Sequence, residues 1–325
     1  MQRYRFGRWI AVFALAASPL PAAEQAAKPA AEPELTVVNV SSHCDWAWGH
    51  SRAWHAARYA ETIRNVLLLM RDHPGYVWQL ETANEQLAPF LEKARKEWPE
   101  MVDEFWQRVR QGRIEVLVAI SNPRLTEIYP ETLLRNLVLG KQYFRRHAPG
   151  IRQRVYNAVD LMCGSSQMPQ ILSKAEYRYF MFSRPVDQQV TFWRKGLDGT
   201  RMLTSRSFYG YKAMGTFGKE WKGIRPLSVW RHAIGGDDVL PDAALPKQAA
   251  TWDPKKKVLS TVARYFEEVE RHGDQVTELE GVLDSLEYYH SAGTHGNRNL
   301  FVRNNRNEDL LLSTEKAQVM ASVAG

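Results

Sequence analysis

Strand-like and helix-like runs alternate along residues 35–182, and this alternation constrains the fold more than any other feature of the sequence. The run LTVVNVSS is apolar and β-branched, which is typical of a strand buried on both faces. The run ETIRNVLLLMRDHP has helical spacing and stops at His-Pro. Because strands that alternate with helices usually pair in parallel, the sequence predicts an α/β fold with a parallel β-sheet or an irregular (β/α) barrel flanked by helices.

The same alternation continues downstream. It predicts strands at YVWQLET, RIEVLVAIS, RVYNAVDLM and YRYFMFSR, and helices at NEQLAPFLEKARKEWPEMVDEFWQRVRQG (broken by Pro99), ETLLRNLVLGKQYFRRH and SQMPQILSKA. Beyond Pro185 the periodicity weakens through a Gly-rich and aromatic stretch, and it returns in the helix KVLSTVARYFEEVERHG. Near residues 300–325 the sequence predicts a C-terminal helical segment whose apolar face needs a covering partner.

Residues 1–23 have the pattern of a secretory signal peptide. Arg3, Arg5 and Arg8 flank the start of a short apolar run, and small residues follow up to a cleavage site near Ala23. The apolar run is too short to span a bilayer, and no later run reaches the length of a membrane helix. We therefore expect a soluble mature protein that is periplasmic or secreted.

The segment 24–34 contains Ala, Pro and Glu without periodicity, and we interpret it as a tether to one catalytic α/β domain at 35–325. Loss of the three arginines of the signal would lower the formal charge from +7 to +4, since no acidic residue precedes Glu24. The remaining basic residues are dispersed along amphipathic segments. The sequence therefore does not predict a nucleic-acid partner.

The first strand-like run ends at HCDWAWGH, which puts His43 and Asp45 two residues apart. Side chains alternate along a strand, so these two should point one way and Cys44 the other. An imidazole and a carboxylate are both zinc ligands, and the pair could supply two of four. The alternative is an ordinary polar turn after the strand. Cys44 and Cys163 are the only cysteines, and we expect two buried free thiols without a bridge.

Other candidate residues also follow strand-like runs, where α/β folds bind their ligands. Those at or just past such ends are His43, Asp45, Asn122, Asp160 and Arg184. Asp160 is either an active-site acid or a helix-capping residue. Asp237 and Asp238, in a Gly-rich loop, form a solvated turn or present a general acid. His290 and His295 lie among small residues and are either ligands or structural.

Taken together and in this order, these pieces resemble the catalytic domain of family 38 glycoside hydrolases, the retaining α-mannosidases. The family pattern opens with His-x-Asp followed by Trp, which His43, Asp45 and Trp48 match. Further matches in chain order are Glu131, Arg135, Gly140, Lys141, Tyr143 and Phe144; Asp160 with Gln167, Pro169 and Gln170; the Gly-Asp-Asp loop; and His290, Gly293, Thr294, Asn305 and Arg306. The resemblance spans about residues 35–320.

The resemblance implies a zinc-dependent retaining glycoside hydrolase that acts on α-mannoside-like glycans. The zinc ligands that it implies are His43, Asp45, Asp160 and His290, with His295 as a rival to His290. Asp160 would also be the nucleophile and Asp238 the general acid/base, with Asp237 as its substitute. The carboxyl groups of a retaining site lie about 5 to 5.5 Å apart, so Asp160 and Asp238 should converge.

The substrate contacts that we predict are Trp48, Asn122, Arg124, Arg184 and His295. In the exit loop AISNPR, Asn122 and Arg124 stand where the family commonly has acidic residues, which changes the hydroxyls or acidic substituents that the site can bind. Family members usually continue into further domains, so a further domain or subunit could cover the C-terminal helix. Two other functions stay open: a carbohydrate-binding member without turnover, and a zinc-dependent sugar deacetylase.

Overall fold

The computed structural model describes residues 33–46, 49–117, 119–123, 125, 128–161, 164–183, 190–206, 227–273, 275–280 and 298–324. The predicted signal peptide and most of the tether lie outside these residues, as do Trp48, Arg124, Cys163, Arg184, His290 and His295. Within the described part of the chain, no helix combines the length and the apolar composition that crossing a membrane requires.

Strands and helices alternate over most of this part of the chain. In chain order the strands are β1 (Leu35–Val40), β2 (Trp78–Leu80), β3 (Ile114–Val116), β4 (Val155–Ala158), β5 (Tyr179–Phe182), β6 (Val190–Lys195), β7 (Arg201–Arg206), β8 (Val229–Ile234), β9 (Lys257–Leu259) and β10 (Glu278–Glu280). The helices are α1 (Arg52–Asp72), α2 (Ala88–Glu97), α3 (Pro99–Arg110), α4 (Pro130–His147), α5 (Met168–Lys174), α6 (Leu245–Ala249), α7 (Val262–His272) and α8 (Arg298–Ala324). A short π-helical segment, Ala83–Leu87, precedes α2.

The strands pair in the orders β8-β1-β9, β2-β3 and β10-β6-β7-β5-β4. Among the described strands, every pairing is parallel except the antiparallel hairpin of β6 and β7. The backbone N–H of Asn157 donates to the carbonyl oxygen of Leu117 at 3.2 Å, which connects the exit of β3 to β4. The predicted fold class, parallel strands flanked by helices with a C-terminal helix, is confirmed.

Two element boundaries show how local chemistry refines the pattern. Helix α1 begins at Arg52, well before the predicted start at Glu61, because the Ser51 hydroxyl caps it by accepting the backbone N–H of Trp54 at 3.2 Å. The predicted break at Pro99 is confirmed, since α2 ends at Glu97 and α3 starts with the proline, which tolerates the first helical turn.

Strands β6 to β8 lie in the stretch beyond Pro185 where the periodicity is weak. In β6 and β7, Arg194 and Arg206 are fully buried, so the apolar alternation that identifies a half-buried strand is absent there. The sequence therefore did not predict these strands. Strand β9 occupies Lys257–Leu259, which the sequence predicts as the first residues of a helix; that helix, α7, begins only at Val262, where the Thr261 side chain caps it.

Helices α1, α2 and α3 pack with β2 and β3 around a largely apolar cluster, here called the helical layer. Its large aromatic members include Phe90, Phe105 and Trp106, with ring centroids 5.1 Å apart for the last two. Helix α8 is held to α4 by a bidentate ion pair between Arg135 and Glu315, at 2.7 and 2.6 Å. The larger apolar side chains that α8 exposes are Leu310, Leu311, Val319, Met320 and Val323. The covering partner expected for this helix stays a prediction.

Candidate functional site

A pocket of about 210 Å³ opens beyond the carboxyl ends of β1, β2 and β4. It is lined by His43, Cys44, Asp45, Trp46, Glu81, Thr82, Glu85, Asn122, Val159, Asp160 and Leu161. These residues come from four separate stretches of the chain. The parallel pairing of the strands therefore assembles polar groups that lie far apart in the sequence.

The pairing of β8 with β1 continues past both strands as an isolated parallel bridge between His43 and Asp237. The His43 N–H donates to the Gly236 carbonyl at 2.9 Å, and the Asp238 N–H donates to the His43 carbonyl at 2.9 Å. A β-carbon added to Gly235 would lie 2.2 Å from the Ser41 carbonyl oxygen, so this close approach requires glycine. The Gly-Asp-Asp loop thus pairs with the residues that follow β1, while Asp237 itself is exposed.

The loop brings Asp237 next to the two residues of the His-x-Asp motif. His43 Nε2 lies 3.3 Å from Asp45 Oδ1, so the two side chains point the same way as strand alternation predicts. His43, Asp45 and Asp237 each offer one ligand atom, and these atoms lie within 4.8 Å of one another. Among the described residues, these three therefore form a group that could hold a metal ion, and the ligand role that the resemblance implies for Asp160 stays a prediction.

Glu81, at the exit of β2, holds the other side of the His43 ring. Its Oε2 lies 3.0 Å from His43 Nδ1 and accepts the backbone N–H of Cys44 at 3.1 Å. Burial opposes a charge on His43, yet the carboxylates of Glu81 and Asp45 raise the pKa of His43 well above its usual value. Burial raises the pKa of Glu81 as well. Glu81 was not among the residues predicted from the sequence, where it stands near the end of the strand-like run YVWQLET like any other polar residue at a strand end.

Asp160 lies in the turn after β4 and lines the same pocket as His43. Its φ of +54° is uncommon for a residue with a side chain, and its N–H donates to the Ser183 hydroxyl at 3.2 Å. Helix α5 begins only at Met168, so Asp160 does not cap it. Asn122 donates from Nδ2 to the Val159 carbonyl at 2.9 Å, which places its side chain beside Asp160.

The Asp238 carboxylate points to helix α1. Its Oδ1 accepts the Tyr59 hydroxyl, and its Oδ2 lies 3.3 Å from His55 Nε2. The Arg58 guanidinium also donates from Nε to the Asp238 carbonyl at 2.7 Å. His55 and Tyr59 are one helical turn apart, so one face of α1 anchors the loop. The predicted convergence of Asp238 with Asp160 stays a prediction.

The Cys44 thiol hydrogen-bonds with the Tyr59 side chain of helix α1. Burial raises the pKa of the Cys44 thiol. Cys44 is a free cysteine in the described part of the chain and is partly buried. The second thiol of the prediction, Cys163, lies outside the described residues.

The donor set of this pocket fits a divalent metal such as zinc. One imidazole and two carboxylates supply nitrogen and oxygen atoms of the kind that zinc binds. Glu81, Asp45 and Asp160 all interact with the His43 ring, and a bound cation would offset the repulsion among carboxylates gathered in this way. The chemistry that this arrangement supports is metal-assisted work on a polar substrate by neighbouring carboxylates.

Comparison with known proteins places these features in a family. The sequence matches the N-terminal domain of glycosyl hydrolases family 38 over residues 34–275. An α-mannosidase from Enterococcus faecalis V583 has a similar structure, with a TM-score of 0.64 and 18% identity over 78% of this chain and 31% of that chain. No curated protein matches the sequence significantly.

Two further solved structures share the fold. A family 38 glycosyl hydrolase protein from Enterococcus faecalis has a TM-score of 0.55 and 16% identity, covering 77% of this chain and 29% of that chain. A 4-alpha-glucanotransferase from Thermococcus litoralis has a TM-score of 0.51 and 13% identity, covering 77% of this chain and 40% of that chain. The chain spans about a third of the length of the two Enterococcus proteins.

Proposed function

The chain belongs to glycosyl hydrolase family 38, and from this premise we propose that it is a zinc-dependent retaining glycosidase that acts on α-mannoside-like glycans. The observation that carries the proposal is the pocket in which His43, Asp45 and Asp237 bring their ligand atoms together while Asp160 lines the same wall. Because the match covers only 31% and 29% of the two solved relatives, the activity of the whole protein is part of the proposal.

His43, Asp45 and Asp237 would hold the zinc ion, and the family resemblance adds Asp160 and His290 as further ligands. When bound, zinc supplies a Lewis acid to which sugar hydroxyls can coordinate. The imidazole would bind through Nε2, since Nδ1 already faces Glu81. Asp160 lines the same pocket, so its carboxylate would face a sugar bound there.

In the proposed reaction, the Asp160 carboxylate attacks the anomeric carbon while a second carboxyl group protonates the leaving oxygen. This forms a glycosyl ester on Asp160, which water then hydrolyses with the second carboxylate acting as base. Asp238 is the predicted acid/base. The Tyr59 hydroxyl and the His55 ring, both in contact with its carboxylate, would orient it.

The substrate contacts complete the proposal. Asn122 lines the pocket beside Asp160, and its amide could meet a sugar hydroxyl. Trp48, Arg124, Arg184 and His295 are proposed contacts that lie outside the described residues. Export by the signal peptide of residues 1–23 is also part of the proposal, and the mass of the mature protein from an exporting host tests it, because cleavage near Ala23 would remove that segment.

A panel of nitrophenyl α-glycosides tests the function. We expect the protein to release nitrophenol from at least one of them, and we expect a zinc chelator to stop the release until zinc is restored. Asp160→Asn should be inactive under the same conditions. Asp253→Asn, which makes the same chemical change at an exposed site, should be fully active.

Two other outcomes would contradict the proposal. Binding of glycans without any release would identify a carbohydrate-binding member of the family. Release of acetate from acetylated sugars, with the glycosidic bond left intact, would identify a deacetylase. Both proteins would use the same pocket, so the products distinguish them and the affinity for the sugar does not.

A further inference from the structure

Glu81 contacts the proposed metal site without belonging to the group of converging ligand atoms. Its Oε2 lies 3.0 Å from His43 Nδ1 and also accepts the Cys44 backbone N–H at 3.1 Å. One carboxylate oxygen therefore contacts both the ring of His43 and the backbone of the next residue. Both Glu81 and His43 are buried, so solvent does not compete for this contact.

The position of Glu81 is itself fixed by a second buried side chain. The Gln86 side-chain oxygen accepts the Glu81 backbone N–H at 2.9 Å. Gln86 Nε2 donates to the carbonyl oxygen of Ser42 at 2.7 Å, and Ser42 directly precedes His43 in the sequence. Gln86 lies in the π-helical segment after β2 and thus ties the exit of β2 to the exit of β1.

This contact determines which nitrogen of His43 can bind a metal. A carboxylate only accepts hydrogen bonds, so Nδ1 must carry the hydrogen that meets Glu81. Nε2 is then the nitrogen that offers a lone pair, and it lies 3.3 Å from Asp45 Oδ1 on the side of the ligand group. A carboxylate behind a metal-binding imidazole orients the ring and makes it a better ligand.

We propose that Glu81 is a positioning residue that holds His43 in the orientation and tautomer in which Nε2 binds the metal ion. The inference rests on the proposed function, because it assigns a role to Glu81 only if the pocket binds a metal. It adds a residue that the family resemblance of the sequence did not indicate.

A purely structural role is the competing explanation, and Glu115 shows what that role looks like. Glu115 lies in β3, and its carboxylate accepts the backbone N–H groups of Val262 and Ala263 at the start of α7, at 2.6 and 2.9 Å. By contrast, the Glu81 carboxylate accepts hydrogen bonds from the ring of His43, a candidate metal ligand, and from the backbone N–H of Cys44. In the described part of the chain, the only ion-pair partner of Glu81 is His43.

The affinity of the protein for zinc tests the inference independently of turnover. Zinc would be titrated into the metal-free protein in competition with a chromogenic chelator. We expect Glu81→Gln to weaken zinc binding by about 10- to 100-fold and Glu81→Leu to weaken it further, as for other residues behind a metal ligand. Glu115→Gln is the matched control, because it removes a half-buried carboxylate from the strand that pairs with β2, outside the lining of the pocket, and should leave zinc affinity unchanged.

The outcomes separate this inference from the proposed function. If Glu81→Gln binds zinc as tightly as the unchanged protein, the positioning role is wrong and the glycosidase proposal stands. If Glu115→Gln loses as much zinc affinity as Glu81→Gln, the loss reflects general destabilisation of the protein, and the positioning role of Glu81 is wrong. If the unchanged protein hydrolyses glycosides but binds no zinc, the metal site and the positioning role both fail.

A second measurement decides the matter if the variants do not fold. Nitrogen NMR of the zinc-loaded, unchanged protein reports which ring nitrogen of His43 carries hydrogen. Hydrogen on Nδ1 and metal on Nε2 would support the role of Glu81. Hydrogen on Nε2 would contradict it.

Discussion

The pocket and the helical layer meet at strand β2 and use buried side chains in different ways. Trp78 and Leu80 of β2 belong to the helical layer, where burial of apolar surface supplies stability. Glu81 instead lines the pocket, and together with Gln79 it also lines a separate cavity of about 20 Å³ between strands of the three sheets. The pocket keeps buried charged groups close together, at a cost in free energy that the layer does not bear. We therefore expect changes in the pocket to reduce function and changes in the layer to reduce stability.

The largest expected effect is at Asp160. Asp160→Asn removes the proposed nucleophile, and we expect turnover to fall by at least about 10⁴-fold while the free energy of unfolding changes little. If Asp160 is also a zinc ligand, the same variant should bind zinc more weakly. Kinetics on a nitrophenyl glycoside, zinc titration and urea unfolding measure the three quantities. A stable Asp160→Asn variant with normal turnover would contradict the expectation that changes in the pocket reduce function.

Asp237 and Asp238 are adjacent in sequence but contact different parts of the site: Asp237 lies beside His43 and Asp45, and the Asp238 carboxylate contacts helix α1. We expect Asp238→Asn to slow the hydrolysis of substrates with poor leaving groups by about 10³-fold and to spare those with good leaving groups, because an acid matters most where the leaving oxygen needs a proton. Asp237→Asn should instead weaken zinc binding by more than the roughly 10- to 100-fold expected for Glu81→Gln, because it removes a proposed ligand and not a residue behind one. Rates on aryl glycosides with different leaving groups, together with zinc titration, would reveal an exchange of the two roles.

The helical layer should respond in the opposite way to the pocket. Phe105 is fully buried and packs against Phe90 and Trp106. We expect Phe105→Ala to lower the free energy of unfolding by about 3 to 5 kcal/mol, because it leaves a cavity among these rings. Zinc affinity of the folded variant should not change. Leu139→Ala, at an exposed position of α4, is the control and should cost less than about 0.5 kcal/mol.

The smallest expected effect is at Glu115, whose contribution to the free energy of unfolding depends on pH. Burial raises the pKa of Glu115 from its usual 4.5 to about 7. Between these values the folded protein holds the proton more tightly than the unfolded chain, so stability should fall as the pH rises from 4.5 to 7. The contribution of this group is roughly 3 kcal/mol at most. Glu115→Gln should lack that part of the pH dependence, and urea unfolding of both proteins at several pH values measures the difference.

The sequence predicted the elements that build the helical layer more fully than the contents of the pocket. Apolar periodicity indicated α2 and α3, and Pro99 marked the break between them, because these signals are local. The motif of His43 and Asp45 could also be recognised in the sequence, since strand alternation places both side chains on one face. The partners of this motif come from distant strands, and their position depends on which strands pair.

Two pocket residues illustrate what the sequence could not supply. Asp237 reaches His43 only because β8 lies beside β1, and β8 was not predicted from its weakly periodic sequence. Glu81 ends an ordinary strand-like run, and nothing local distinguishes it from other polar residues after a strand. The order of the strands, not their composition, determines which carboxylates face the histidine.

Trapping of a covalent intermediate tests the central claim most directly. The protein would be incubated with a fluorinated glycosyl fluoride of the sugar that the nitrophenyl panel selects, and its intact mass and peptides would then be measured. The account predicts an increase of one glycosyl unit, carried by the peptide that contains Asp160 and absent from Asp160→Asn. Normal hydrolysis of the nitrophenyl glycoside with no adduct, or an adduct on another residue, would contradict it.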